Sequence, residues 1–185
     1  MTRVSIRRAL PADADRVSTL ARQTFPLACP PGTTRENIEV FCDTKLSEEA
    51  FDGYLADPHI RIWLATTEVE PVGYLMNVGG GPPDTVIAGA VRMRPTVEIS
   101  KIYVLESSHG SGVASRLMSV AVEDARTQGA QSVWLGVNKH NERANRFYER
   151  QGFVIVGERS FQVGESLEDD FVREKVLQSP RMAFS

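Results

Sequence analysis

The sequence is poor in the residues that cross-link small domains and bind metals. Its 185 residues include two cysteines, Cys29 and Cys42, which have no Cys-x-x-Cys spacing and no clustered histidines beside them. The three histidines, His59, His109 and His140, are scattered along the chain. These features argue against a disulfide scaffold and a zinc site, so the sequence predicts reduced thiols, a cytoplasmic location and no metal.

Long apolar runs and runs of positive charge are also missing. Nowhere do about 18 apolar residues follow one another, and the start from Met1 to Arg8 lacks the apolar stretch of a signal peptide. The 21 basic and 24 acidic residues give a net charge of -3 without forming a basic run. We therefore expect neither a membrane nor a nucleic acid as a partner.

The pattern of apolar residues predicts strands that alternate with helices, which is typical of a mixed α/β sheet. Strands are predicted over 4–8, 60–66, 72–78, 97–105, 132–137, 153–161 and 171–177, and helices over 14–24, 35–45, 47–56, 112–128 and 142–151. The chain length fits a single domain, predicted over residues 1–177, with a disordered tail over 178–185.

A glycine-containing run marks the junction between a predicted strand and the helix 112–128. It reads His109-Gly110-Ser111-Gly112-Val113-Ala114-Ser115. The first amides of a helix have no intrahelical partner and its dipole adds positive potential, so bare backbone at this point favours phosphate binding. The third glycine of a dinucleotide fingerprint and the Gly-Lys-Ser/Thr of a P-loop are both missing. A pyrophosphate-bearing cofactor is the leading interpretation, and a simple tight turn is the alternative.

A second segment, Asn141-Glu142-Arg143-Ala144-Asn145-Arg146-Phe147-Tyr148, is closed by Gly152-Phe153. With the glycine run, whose Gly112 and Ala114 match the pattern Gln/Arg-x-x-Gly-x-Gly/Ala, it resembles the GNAT superfamily of N-acetyltransferases. His109 departs from that pattern, which has Arg or Gln there. The resemblance spans roughly residues 3–177, and its runs 98–104, 133–137 and 153–157 look most like bacterial polyamine N-acetyltransferases of the PaiA type.

This resemblance implies an α/β protein with the GNAT fold, in which helices cover both faces of a mixed, mostly antiparallel sheet of about six or seven strands. It also implies acetyl-CoA as the cosubstrate, with the strand end at Ile102 lying along the pantetheine arm. The implied cofactor-binding residues are Ile102, Tyr103, Val104, His109, Gly110, Ser111, Gly112, Val113, Ala114, Ser115, Asn141 and Tyr148.

Acetyl transfer from a thioester to an amine requires that the ammonium lose a proton, that an oxyanion be stabilised and that a thiolate be protonated. Glu98 is the candidate base, because a carboxylate can accept the amine's proton and this position has that role in many relatives. An exposed strand-end glutamate, or one that only attracts a cation, is the alternative. In a regular strand Glu98 shares a face with Ile102 and Val104, so its direction depends on a bulge. A backbone N–H near Ile102 or Tyr103 is expected to face the oxyanion.

Tyr148 is the candidate acid. On a helix that begins at Asn141, residues Asn141, Ala144 and Tyr148 lie on one face, and a phenol that is protonated at pH 7 can donate to a thiolate. A half-buried tyrosine whose hydroxyl donates to a carbonyl is the alternative. Asn141 has two compatible interpretations, as the N-cap of the helix and as a cofactor contact.

The sequence thus predicts an acetyl-CoA-dependent N-acetyltransferase that acts on a primary amine of a small molecule by direct attack in a ternary complex. A polyamine such as spermidine or spermine is the first candidate. The alternatives are a peptide or protein N-terminal amine and, outside the enzymes, a catalytically silent acetyl-CoA sensor or interaction module. Relatives are often dimers, so the resemblance is compatible with a homodimer.

Residues 79–96 are the least regular part of the sequence. The run Gly79-Gly80-Gly81-Pro82-Pro83 disfavours both helix and central strand, and a short strand is predicted over 86–93. The segment is interpreted either as a surface loop or as a lid over the acceptor site.

Overall fold

One sheet organises the computed structural model, which describes residues 3–163 and 165–177. Its strands are β1 (Ser5–Arg8), β2 (Ile60–Thr66), β3 (Pro71–Val78), β4 (Thr96–Val104), β5 (Ser132–Asn138), β6 (Val154–Val163) and β7 (Ser166–Val176). Their order is β1-β2-β3-β4-β5-β7-β6, and only β4 and β5 run parallel to each other. The predicted α/β class and mostly antiparallel sheet are confirmed. The predicted tail, 178–185, lies outside the described residues.

Helices cover both faces of this sheet. They are α1 (Ala14–Ala28), α2 (Arg35–Lys45), α3 (Glu48–Ala56), α4 (Thr85–Ala90), α5 (Val113–Thr127) and α6 (Glu142–Arg150). The side chains of Thr34 and Ser47 accept hydrogen bonds from backbone N–H groups three residues on, which fixes where α2 and α3 begin. Within the described residues, no helix has the length and apolar character needed to cross a bilayer.

A hydrophobic core lies on each face of the sheet. On one face, α5 buries side chains such as Leu117 and Met118 against Leu135 of β5. On the other, Leu20 of α1 and Tyr74 of β3 belong to a second buried cluster, to which α3 also contributes. Because both faces are covered, the sheet is a rigid support for residues at its strand ends.

The prediction of a short strand over 86–93 is wrong, because α4 forms there instead. The Asp84 carboxylate accepts a hydrogen bond from the Ile87 N–H at 2.9 Å and so caps the helix. Ile87 is then fully buried against Trp134 and Val172. A capping residue and one buried anchor outweigh the weak helix propensity of this glycine-containing stretch.

In the structure the same segment packs against the outer strands and does not cover the cleft. Helix α4 packs against β6, where a Cβ on Gly157 would lie 2.7 Å from the Ala90 Cβ. The N–H groups of Arg92 and Met93 donate to the Glu174 carboxylate, both at 3.0 Å. None of residues 79–95 lines the large cleft described below. The segment therefore supports β6 and β7, the outer strands of the sheet.

Strand β7 begins at Ser166, five residues before its predicted start at 171. Its first part, Ser166–Asp170, is strongly polar, which is typical of a loop in a sequence. In the structure this part pairs with β6, and the side chains of Glu168 and Asp170 line the cleft. The polar residues that are typical of a loop in the sequence are thus the ones that line the cleft in the structure.

Candidate active site

The cleft begins where β4 and β5 separate. They pair only from Thr96 to Glu98, opposite Ser132 to Trp134. Beyond that point β4 continues with β3 and β5 continues with β7, so the two parallel strands diverge. The facing edge of β4 is left without a partner strand, and a ligand with amide groups can pair with it.

A bulge in β4 decides which way Glu98 points. Asn77 of β3 pairs with Ile99 whereas Met76 pairs with Lys101, so Ser100 is an extra residue. A regular strand would place Glu98 on the face of Ile102, but the bulge shifts the alternation and places it on the face of Lys101. That face is the one covered by α1, α2 and α3, and we call it the acceptor face.

The alternation of β4 also identifies a backbone donor. The Leu105 N–H donates to Val72 of β3 at 2.8 Å. Amides two residues apart in a strand point to the same side, so the Tyr103 N–H also points towards β3 while the Ile102 N–H points into the gap. Of the two amides predicted near the oxyanion, only that of Ile102 has the required direction.

The glycine run forms the wall at the N-terminus of α5. Gly110 and Gly112 have φ of 78° and 83°, a left-handed conformation that favours glycine, and the space at each Cβ position is open. Gly112 directly precedes α5, so the first amides of the helix are accessible to an anion.

The structure brings almost all of the sequence-predicted residues to this cleft. Ser111 does not line it, because its hydroxyl donates to the Ser108 carbonyl. The His109 Nε2 lies 2.9 Å from the Val104 carbonyl oxygen, so the imidazole joins the loop to the end of β4. The predicted residues that do line the cleft are Glu98, Ile102, Tyr103, Val104, His109, Gly110, Gly112, Val113, Ala114, Ser115, Asn141 and Tyr148.

Helix α6 supplies the phenol. The Asn141 side chain accepts a hydrogen bond from the Ala144 N–H at 3.0 Å and caps the helix. Tyr148 lies two turns on, with its ring in edge contact with Phe147 and Phe153. Among the described residues its hydroxyl has no hydrogen-bond partner, and it lines the cleft. Burial raises the pKa of Tyr148 above its usual value, so the phenol keeps its proton.

Four ionisable groups on the acceptor face control the electrostatics of the cleft. Burial raises the pKa of Glu98, and the positive charges of Arg159 and Lys101 partly offset this effect. Burial lowers the pKa of Lys101 to about 8, against the opposing influence of Glu98. Burial raises the pKa of Asp170 to about 6, while Arg159 opposes the rise. The cleft therefore holds groups that titrate near neutral pH.

Sequence reasoning did not identify Lys101, Arg159 or Asp170 as site residues. Arg159 enters the cleft because Gly136 has no side chain, since a Cβ there would lie 2.6 Å from the Arg159 Cζ. The guanidinium also lies 5.5 Å from the centre of the Trp134 ring and 3.5 Å from Asp170. The glycine inside an apolar strand was the available signal, because such a residue marks a close approach by another group.

The dimensions and chemistry of the cleft fit a coenzyme A thioester. The cleft encloses about 670 Å³ and runs from the N-terminus of α5 along the unpaired edge of β4. Phosphate suits the helix terminus, and the amides of the pantetheine arm suit the open strand edge. The Tyr148 phenol and the carboxylates of Glu98, Glu168 and Asp170 line the same cleft. This combination defines an acyltransferase that uses acetyl-CoA.

The chain belongs to the Acetyltransferase (GNAT) family, whose model matches residues 18–153. It is 42% identical over 165 residues to an uncharacterized N-acetyltransferase of Mycobacterium tuberculosis, covering 89% of this chain and 98% of that protein. It is 38% identical over 155 residues to the aminoalkylphosphonate N-acetyltransferase of Salmonella typhimurium, covering 80% of this chain and 83% of that one.

A solved structure has a similar fold. The PaiA N-acetyltransferase of Thermoplasma acidophilum, in complex with coenzyme A, has a TM-score of 0.75 and is 17% identical, covering 95% of this chain and 99% of that chain. The fold and the family together identify this chain as an acetyl-CoA-dependent N-acetyltransferase.

Proposed function

We propose that the acceptor is a primary amine of a small molecule, with a polyamine such as spermidine or spermine as the first candidate. The observation that carries this proposal is the set of three carboxylates lining the cleft: Glu98, Glu168 and Asp170. Carboxylates in a site with little water attract an ammonium group strongly. The aromatic rings of Phe25 and Phe41, stacked 4.3 Å apart, line the same cleft and suit the methylene chain of such an amine.

Two hydrogen bonds join two walls of the cleft, and we call this pair of bonds the clamp. The clamp favours a small acceptor over a peptide. The Asn37 side chain donates to the Ser166 hydroxyl at 2.9 Å and accepts from the Glu165 N–H at 3.1 Å. These bonds join α2 to the turn between β6 and β7. Since both α2 and β7 line the cleft, the clamp restricts the room for an extended chain.

The proposed chemistry uses three groups of this chain. Glu98 takes a proton from the acceptor ammonium and so exposes the nitrogen lone pair. Acetyl-CoA, when bound, supplies the thioester whose carbonyl carbon the amine attacks, with the C–N bond formed and the C–S bond broken. The Ile102 N–H donates to the carbonyl oxygen as negative charge develops there. Tyr148 gives its proton to the departing sulfur and regains one from the nitrogen, which after the attack carries one proton more than the amide product. The presence of both Glu98 and Tyr148 in the cleft supports an enzyme over a silent sensor.

A second candidate is an amine that also has an anionic group. Lys101 lines the cleft, and no described residue forms a hydrogen bond or an ion pair with its Nζ, although the Tyr54 ring lies 5.6 Å away and the Glu98 charge opposes the lowering of its pKa by burial. A half-buried cation without an ion-pair partner favours a negatively charged ligand. The aminoalkylphosphonate N-acetyltransferase among the relatives has a name consistent with this class of acceptor.

The test is a panel of acceptors with the purified enzyme and acetyl-CoA. Release of the CoA thiol is followed by a thiol reagent, and mass spectrometry identifies the acetylated product. The panel contains spermidine, spermine, putrescine, 2-aminoethylphosphonate, amino acids and short peptides with unmodified N-termini. Highest kcat/KM with a polyamine supports the first candidate and highest kcat/KM with the phosphonate the second. Turnover of peptides alone refutes both.

A further inference from the structure

Asp170 occupies a position in the cleft that the proposed chemistry does not use. It lies on β7, is 4% exposed and pairs in register with Asn138 of β5 and Arg159 of β6. Glu98 pairs with Trp134, so Asn138 lies about as far along β5 as Ile102 lies along β4. Asp170 therefore lies on the acceptor face, close enough to Tyr103 of β4 that, in addition to burial, its charge helps to raise the pKa of that phenol.

The Asp170 carboxylate lacks the hydrogen bonds that a buried carboxylate normally has. An ionised carboxylate can accept about four hydrogen bonds. The single partner given by the described residues is the Arg159 Nε at 3.5 Å, which is long for a charge-assisted bond. An ammonium group has three donors. A ligand of that kind would complete the coordination that the protein leaves unfinished.

We propose that Asp170 binds the ammonium group of the acceptor and holds it in the cleft before Glu98 takes its proton. No bond is made or broken at Asp170, so its role is in binding and specificity. The proposal rests on the proposed function, since it requires an amine acceptor. It applies equally to a polyamine and to an amine with an anionic group, because both present an ammonium.

The surroundings of Asp170 give the proposal a pH dependence. Burial raises its pKa to about 6 and Arg159 opposes that rise, so the carboxylate is charged above about pH 6 and neutral below. Ammonium binding should therefore weaken as the pH falls through 6. The charged and titratable groups around Asp170 are Arg159 of β6, Tyr103 of β4, and Glu168 and Asp169 of β7. Cys29, at the end of α1, lines the same cleft beside Tyr103 and Glu168.

The experiment compares Asp170→Asn with Asp169→Asn. Asp169 is the exposed neighbour on the opposite face of β7, so its substitution removes the same charge outside the cleft. Steady-state kinetics with the amine that the wild-type enzyme prefers are measured from pH 5.5 to 8.5. For Asp170→Asn we expect the amine KM to rise about 10- to 100-fold, the scale of a lost charged hydrogen bond, with the acetyl-CoA KM unchanged. The rise of the amine KM as the pH falls through 6 should disappear in this variant alone, whereas protonation of Glu98 lowers kcat at acid pH in both enzymes.

Three outcomes would overturn the proposal. One is an Asp170→Asn enzyme with the wild-type amine KM, and another is an Asp169→Asn enzyme with the same defect as Asp170→Asn. The third applies if Asp170→Asn does not fold, as judged by its melting curve. In that case a wild-type amine KM that stays constant from pH 5.5 to 8.5, together with an Asp170→Glu enzyme that folds but has no activity, rejects the role. If the wild-type enzyme acetylates no amine at all, the proposed function itself fails, which is a distinct result.

Discussion

The phenol of Tyr148 allows the sharpest test of the proposed mechanism. Its hydroxyl has no hydrogen-bond partner among the described residues, while its ring packs on Phe147 and Phe153. The change Tyr148→Phe therefore removes a proton donor and leaves the packing intact. A lost general acid costs about 10- to 1,000-fold in kcat, which is about 1.4 to 4 kcal/mol of transition-state stabilisation.

Two further quantities should stay constant in Tyr148→Phe. The free energy of unfolding should change by less than about 0.5 kcal/mol, because no protein hydrogen bond is lost. The acetyl-CoA Kd should also be preserved, since the amides of the glycine run and of β4 make the proposed contacts. Burial keeps the phenol protonated well above pH 10, so Tyr148 should produce no loss of wild-type activity between pH 7 and 9.

The assay combines single-turnover kinetics, calorimetry with acetyl-CoA and urea denaturation. Tyr74→Phe is the matched control, because Tyr74 is fully buried, has an unpaired hydroxyl and does not line the cleft. It should leave kcat unchanged. A folded Tyr148→Phe enzyme with wild-type kcat would refute the reasoning, and so would a loss of activity that is fully explained by a higher acetyl-CoA Kd.

Three other substitutions probe the site and its support. Gly112→Val should raise the acetyl-CoA Kd, measured by calorimetry, at least about tenfold. A branched side chain blocks the helix amides, and the left-handed backbone adds about 1–2 kcal/mol of strain. Unchanged binding would contradict this. Gly136→Ala should displace the Arg159 guanidinium and change the amine KM more than the acetyl-CoA KM, and equal effects on both would count against an acceptor-side role. Arg173→Met should lower the free energy of unfolding by about 3 kcal/mol, as measured by urea denaturation. The guanidinium is buried, with Arg173 2% exposed, and its three acceptors would lose their donor. A loss below about 1 kcal/mol would disprove this.

Local patterns were enough to predict the elements that surround the cofactor cleft. The small residues before α5 and the capped helix after Asn141 have chemical roles that depend on neighbours within a few positions, so short-range spacing identifies them. The start of β7 and the helix α4 were missed for the opposite reason. The first depends on hairpin pairing with β6, which the strongly polar sequence from Ser166 to Asp170 does not reveal. The second depends on burial of Ile87 beneath Trp134, a contact that is distant in sequence.

The sequence by itself determined the fold class and the loop that suits a diphosphate, because these follow from apolar periodicity and from the first turn of one helix. The family was indicated by the resemblance of two segments, 109–114 and 141–153, to known motifs. Only the tertiary structure decided the direction of Glu98, which depends on a bulge set by the pairing of β4 with β3. It alone brought Lys101 to the same face as Arg159 and Asp170, since β4 is distant in sequence from the hairpin of β6 and β7. The cost of burying a charge depends on all of its neighbours at once, so the electrostatics of the acceptor site exist only in the folded chain.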